Sequence, residues 1–74
     1  MWIFPADEPN GACWINLSNV SAITTEDTKG VSMYSIMFIF GYKDERCWWW
    51  QGYDADRNRD GQMRRIIDII KGVD

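Results

Sequence analysis

Three consecutive tryptophans, Trp48-Trp49-Trp50, constrain this chain more than any other feature. In an extended segment neighbouring side chains point to opposite faces, so the run puts large aromatic area on both sides of whatever sheet carries it. One side can be the core of a small domain. The other must meet water, a second copy or a different partner. With 74 residues there is room for one domain and one thin core. A domain of this size cannot enclose five indoles on one side, so at least two should be partly exposed.

The segments around the run read as a meander of strands. Trp2-Ile3-Phe4 is a short strand ended by Pro5, and Ala6 to Gly11 carries turn chemistry. Cys13 to Leu17 and Val20 to Thr25 read as strands separated by a turn or bulge at Ser18-Asn19. Glu26-Asp27-Thr28-Lys29-Gly30 is polar and ends in glycine, which predicts a hairpin loop. Val31 to Phe40 is the longest strand candidate. Met33, Ser35, Met37 and Ile39 lie on one face and Tyr34, Ile36, Phe38 and Phe40 on the other; both faces are largely apolar, which predicts a central strand. Gly41 to Glu45, with Tyr42 and Lys43, is the next turn. Arg46 to Tyr53 is the strand with the tryptophan run, where Trp48 and Trp50 share one face and Trp49 takes the other with Tyr53.

After Tyr53 the period changes from strand to helix. Met63, Ile66, Ile67 and Ile70 follow helical spacing and predict one apolar face. Gly72 suits the position just past a helix end, and Lys71 suits the C-terminal dipole. Asp54 or Asp60 could cap the start; the earlier start is preferred because Ala55 and the Arg59 stem extend the stripe. The expected fold is α+β: a four- to five-stranded antiparallel sheet over about 2–53, with one helix over about 55–71 packed on one face. No second helix remains to cover the other face.

Charge and composition exclude several function classes. The net charge of −3 does not suit a duplex binder, which must neutralise phosphates. No segment has the apolar length to span a bilayer, and the apolar N-terminus lacks the basic region of a secretory signal, so a soluble cytoplasmic protein is expected. Cys13 and Cys47, without any histidine, cannot close a four-ligand zinc site; they are expected as free thiols, with a disulfide as the alternative if their strands are neighbours. With no histidine, no serine beside a base motif and no phosphate-loop glycines, catalysis is not expected.

Asp56-Arg57-Asn58-Arg59-Asp60-Gly61-Gln62-Met63 resembles the first half of the calcium loop of EF-hand and dockerin proteins, in which Asp56, Asn58 and Asp60 would supply side-chain ligands. The twelfth loop position, where a bidentate acid belongs, is Ile67, and two arginines sit inside the loop. The segment therefore reads as a polar strand-to-helix junction or as the exposed first turns of the helix, and no metal or cofactor is expected.

The stretch Trp14-Ile15-Asn16-Leu17-Ser18-Asn19-Val20-Ser21-Ala22-Ile23 resembles an apolar-Asn-Leu-x-x-Val-x-x-Ile pattern of small bacterial and phage proteins. There it precedes a hairpin, a strand and a C-terminal helix. The small flagellar regulators of the FlbD type are similar in layout, as is the last part of LytTR-type DNA-binding domains. The resemblance implies a compact, non-enzymatic accessory protein and carries no active-site residues across.

The expected function is stoichiometric binding of a protein partner. The candidate contact residues are Trp48, Trp49, Trp50, Tyr53, Tyr34 and Arg46, because Trp, Tyr and Arg dominate interface hot spots. Trp14 is expected in the core. A homodimer is the simplest assembly, and a phage or mobile-element inhibitor of a host or defence complex is a related version. The alternative is a single-stranded nucleic-acid binder that stacks bases on tryptophan, with Arg46, Arg57, Arg59, Arg64 and Arg65 as cations.

Overall fold

The computed structural model describes residues 1–41 and 43–72. Along the chain these form β1 (Trp2–Ile3), β2 (Ile15–Asn16), β3 (Ala22–Thr28), β4 (Met33–Gly41), β5 (Asp44–Gln51) and α1 (Ala55–Lys71). The class is α+β and every strand pairing is antiparallel. Tyr42 lies outside the described residues. No helix among the described residues is long and apolar enough to cross a membrane.

The strands do not make one sheet. β1 and β2 form a two-stranded ribbon, and β3, β4 and β5 form a separate three-stranded sheet with β4 in the centre. The break falls at Leu17–Asn19, a single 3-10 turn in which Asn16 Oδ1 accepts the Ser18 amide. That side-chain bond gives the backbone an alternative to the ladder, as asparagine commonly does. The segment between β1 and β2 instead runs along the free edge of β5. There Asn10 and Trp49 exchange backbone bonds of 2.7 and 3.1 Å.

The predicted hairpin loop is also shorter than its polar composition suggests. Glu26, Asp27 and Thr28 stay in β3, opposite Ser35, Tyr34 and Met33. Their strand conformation is held from both sides: Ser35 Oγ donates to the Glu26 carbonyl, and Asp27 receives Arg59 from α1. The reversal is confined to a 3-10 turn at Lys29–Val31 and to Ser32 at φ 50°. At the far end β5 stops at Gln51, and Gly52 turns the chain at φ 100°. Tyr53 is thus off the strand and 94% exposed, not a member of the Trp49 face.

The helix begins after Asp54, the earlier of the two expected starts, and buries Ala55 and Arg59 as the stripe requires. Asp54 stands at the cap position in a left-handed conformation, φ 69°, with no side-chain capping bond. At the other end Gly72, φ 71°, returns its amide to the carbonyls of Asp68 and Ile69, which satisfies last-turn acceptors as a left-handed glycine does. The apolar stripe is rotated from its predicted position. Ala55, Arg59, Gln62 and Ile66 are buried, whereas Ile67 and Ile70 are exposed. On the buried side Arg59 reaches Asp27 of β3, which ties that side of the helix to the sheet.

One core results. Ile36 and Phe38 of β4, Trp48 and Trp50 of β5, Ile66 and Ala55 of α1, and Ile3 and Ile15 of the ribbon pack together. Phe38 and Trp48 meet edge to face, with centroids 4.7 Å apart, a favourable aromatic geometry. The loop between β1 and β2 completes the burial by supplying acceptors. Trp48 Nε1 donates to the Cys13 carbonyl at 3.2 Å, and Trp50 Nε1 to the Asp7 carbonyl at 3.1 Å. Two indoles are thereby buried without leaving their N–H groups unpaired, which would cost about 1–3 kcal/mol each.

Candidate functional site

The register assigns every strand residue to a face. Toward α1 and the ribbon lie the rows Ile23–Phe38–Arg46, Thr25–Ile36–Trp48 and Asp27–Tyr34–Trp50. On the opposite face lie Ala22–Ile39–Glu45, Thr24–Met37–Cys47, Glu26–Ser35–Trp49 and Thr28–Met33–Gln51. No described helix packs on that second face. Its centre is apolar, with Met37, Ile39, Met33, Cys47 and Trp49 each half-buried by their neighbours. A depression of about 330 Å³ is lined by Glu26, Met33, Ser35, Cys47 and Trp49.

The six candidate contact residues are spread over three places. Trp48, with none of its surface exposed, and Trp50, with 4%, belong to the core beneath α1. Trp49 is on the open face. Tyr34 is half-buried on the helix side, where the Arg59 guanidinium stacks 5.5 Å from its ring centre. Tyr53 stands on the surface beside it, over a shallow cleft that also includes Ser32 and Arg57. Arg46 is exposed and bonds Asp44 at 3.0 Å.

Sequence reasoning places Met33, Ser35, Met37 and Ile39 on one face but misses Glu26, Glu45 and Cys47 beside them. Glu26 falls in the predicted hairpin loop, which hides its position in the Ser35–Trp49 row. The signal exists in the alternation of β4, but it needs the turn length to become a register. The acids mark the electrostatics of the face. Burial pushes the Cys47 thiol above its ordinary pKa; a hydrogen bond with Ser35 opposes this, and the Glu26 and Glu45 carboxylates add to the rise. No lysine or arginine occupies any of the four rows. Cys13 and Cys47 are both free thiols.

The exposed indoles are elsewhere. Ile3 and Ile15 point into the core from the ribbon, so their neighbours must point out. Trp2 and Trp14 are each 62% exposed, and the Trp14 ring meets that of Phe4 at 5.1 Å. Trp14 is therefore a surface residue and not the core residue expected from its pattern. Burial of Ile15 decides this, because adjacent strand residues cannot share a side. Trp2, Trp14, Asn16, Asn19, Phe40, Asp44 and Arg46 line a cleft of about 180 Å³.

The segment that resembles a calcium loop lies inside α1. Helical geometry turns the chain about 200° per step of two residues, so Asn58 lies on the opposite side of the helix from Asp56 and Asp60 and the three cannot converge on one ion. Asp56 Oδ1 accepts the Arg57 amide, and Asp60 holds Arg59. No cluster of three metal-ligating side chains occurs among the described residues.

The chain matches no protein-family model, no curated protein and no solved structure in the comparisons made. The geometry of these surfaces is therefore the whole basis for a functional reading.

Proposed function

We propose that this protein is a small non-enzymatic interaction module that acts by stoichiometric binding of another protein. One observation carries the reading: a three-stranded sheet is covered on one face by α1 and the ribbon, while its other face presents Met33, Met37, Ile39 and Trp49 with no described element above them. Contiguous apolar surface rimmed by polar groups is characteristic of interaction sites. Methionine side chains suit such a site, because they are unbranched and adapt to the shape that docks on them. A phage or mobile-element inhibitor or regulator of a host or defence complex is one form of this reading, which small size and acidity fit.

Affinity capture with matched variants tests this. Met37→Asp alters the centre of the open face, and Ile70→Ser alters an exposed residue of the helix, which packs on the other face. A partner held by wild type and Ile70→Ser but lost from Met37→Asp supports the reading. A partner retained by Met37→Asp refutes it. Light scattering over a range of concentrations tests the homodimer version in the same way.

A second reading has its own observation. The exposed Trp2 and Trp14 share a cleft with Arg46, an arrangement on which single-stranded bases could stack. Titration of labelled oligonucleotides at low salt decides it. Binding that is lost in Trp14→Ala supports this reading, and no binding at micromolar protein removes it.

A further inference from the structure

The open face also specifies the chemistry of its partner, given the interaction-module reading on which this rests. Its two charged positions are both acidic. Glu45 lies in the Ile39 row at one end, and Glu26 sits beside the depression lined by Met33, Cys47 and Trp49. Arg46, next to Glu45 in sequence, belongs to a row of the opposite face and bonds Asp44; Lys29 and Lys43 fall in the turns at the two ends of the ladder, outside its rows. A docking group is therefore offered apolar contact at the centre and negative charge at two separate points on the face.

Size restricts the occupant as well. Three strands at about 4.8 Å and seven residues at about 3.4 Å give a face of roughly 14 by 24 Å, about 340 Å². A stable protein–protein interface buries about 800 Å² on each partner. A second copy laid flat on this face would cover less than half of that and would oppose Glu26 and Glu45 with carboxylates of its own. A single helix is about 10 Å wide with its side chains and fits the width of the sheet. We infer that the open face of the β3–β4–β5 sheet docks a basic amphipathic segment of another protein. Its apolar side chains would enter between Met33, Met37 and Trp49, and its Lys or Arg side chains would meet Glu26 and Glu45.

Calorimetry at low salt with three synthetic peptides tests the inference. The first is a Lys/Leu peptide patterned as an amphipathic helix. The second carries Glu in place of each Lys, and the third Ser in place of each Leu. The expected result is measurable binding of the first alone, weakened about tenfold by the double variant Glu26→Lys/Glu45→Lys. Asp68→Lys, on the exposed side of α1, should leave the affinity unchanged; equal weakening by Asp68→Lys would mean diffuse attraction and overturn the site. Binding of the Glu/Leu peptide as tightly as the Lys/Leu peptide overturns the charge assignment but leaves an apolar docking face. Binding of the Lys/Ser peptide as tightly overturns the apolar contact. If no peptide binds, the inference is wrong, and two measurements then locate the error. A dimer by light scattering that dissociates in Met37→Lys identifies a second copy as the occupant. A monomer leaves the capture comparison of wild type with Met37→Asp to decide whether the face binds protein at all.

Discussion

Arg59 on α1 and Asp27 on β3 form an ion pair between the helix and the outer strand of the sheet. Arg59 also bonds Asp60 at 2.8 Å and lies over the Tyr34 ring. Burial by itself would lower the arginine's pKa; the hydrogen bonds and charges of Asp27 and Asp60 together outweigh it and hold the guanidinium above its ordinary value. The charge is thus retained inside the domain, and its bond to Asp27 ties this side of α1 to the sheet. Removing one partner of a buried pair is costly, but the Asp27 side chain is 38% exposed and Asp60 remains. We expect Asp27→Asn to destabilise the fold by about 1–2 kcal/mol in urea denaturation. Arg59→Met, which keeps most of the stem and removes the charge, should cost less than Arg59→Ala.

The three tryptophans should separate sharply by mutation. Trp48 is fully buried against Phe38 and bonded to the Cys13 carbonyl. Trp48→Ala is expected to cost about 3–5 kcal/mol, enough to unfold a marginally stable domain of this size. Trp49 is half-buried on the open face, and Trp49→Ala should cost no more than about half as much. Circular dichroism melts of the two variants measure the difference. Equal losses would mean that the open face is as much a structural core as the helix side.

Two glycines should respond to alanine in opposite directions. Gly61 lies inside α1, where an added Cβ meets only open space. Gly61→Ala should stabilise by about 0.8–1.0 kcal/mol, a rise of about 4–8 °C in Tm for a domain of this size. Gly11 stands at φ 72°, where a Cβ would come within 2.5 Å of the Cys47 carbonyl oxygen. Gly11→Ala combines left-handed strain with a backbone clash and should destabilise by about 1–3 kcal/mol. It should also release the loop from the β5 edge, seen as faster hydrogen exchange at the Trp49 amide.

Cys47 reports the electrostatics of the open face. The thiolate is the reactive form, so a raised pKa means less thiolate at a given pH. In a Cys13→Ala background, alkylation of Cys47 at about pH 8 should be slower in the native protein than in urea. Glu26→Gln removes a charge that raises the pKa and should speed the native reaction. The sign of the stability linkage follows. The fold favours the neutral thiol, so this contribution is complete below the ordinary thiol pKa and is lost as pH rises from there through the raised value. Melts of wild type and Cys47→Ser through that range measure it.

Much of this fold is local enough to be legible in the sequence. The alternation of Met33 to Phe40 is two-sided, and β4 is central. The change to helical spacing after Tyr53 locates α1, and Gly72 ends it as a left-handed glycine must. The step from Trp48 to Trp50 puts these two on one face and Trp49 on the other, a consequence of the strand period alone. At least two indoles had to be exposed, because the core was too small for five.

Other features depend on contacts between residues far apart in the chain. Both faces of β4 are apolar, so periodicity cannot say which one the helix covers. Long-range packing decides that: α1, tied to β3 by Arg59 and Asp27 across 32 positions, packs with Ile36, Phe38, Trp48 and Trp50 and leaves Trp49 outside. Likewise the pattern around Trp14 does not tell it from Ile15 as the inward residue. Packing of Ile15 with Ile3 against the sheet turns Trp14 into solvent. The sequence by itself determined that this protein has two apolar sheet faces and one helix. Only the tertiary structure decided which face stays open and that Glu26 and Glu45 stand on it, because residue spacing sets alternation but long-range packing sets which side is in.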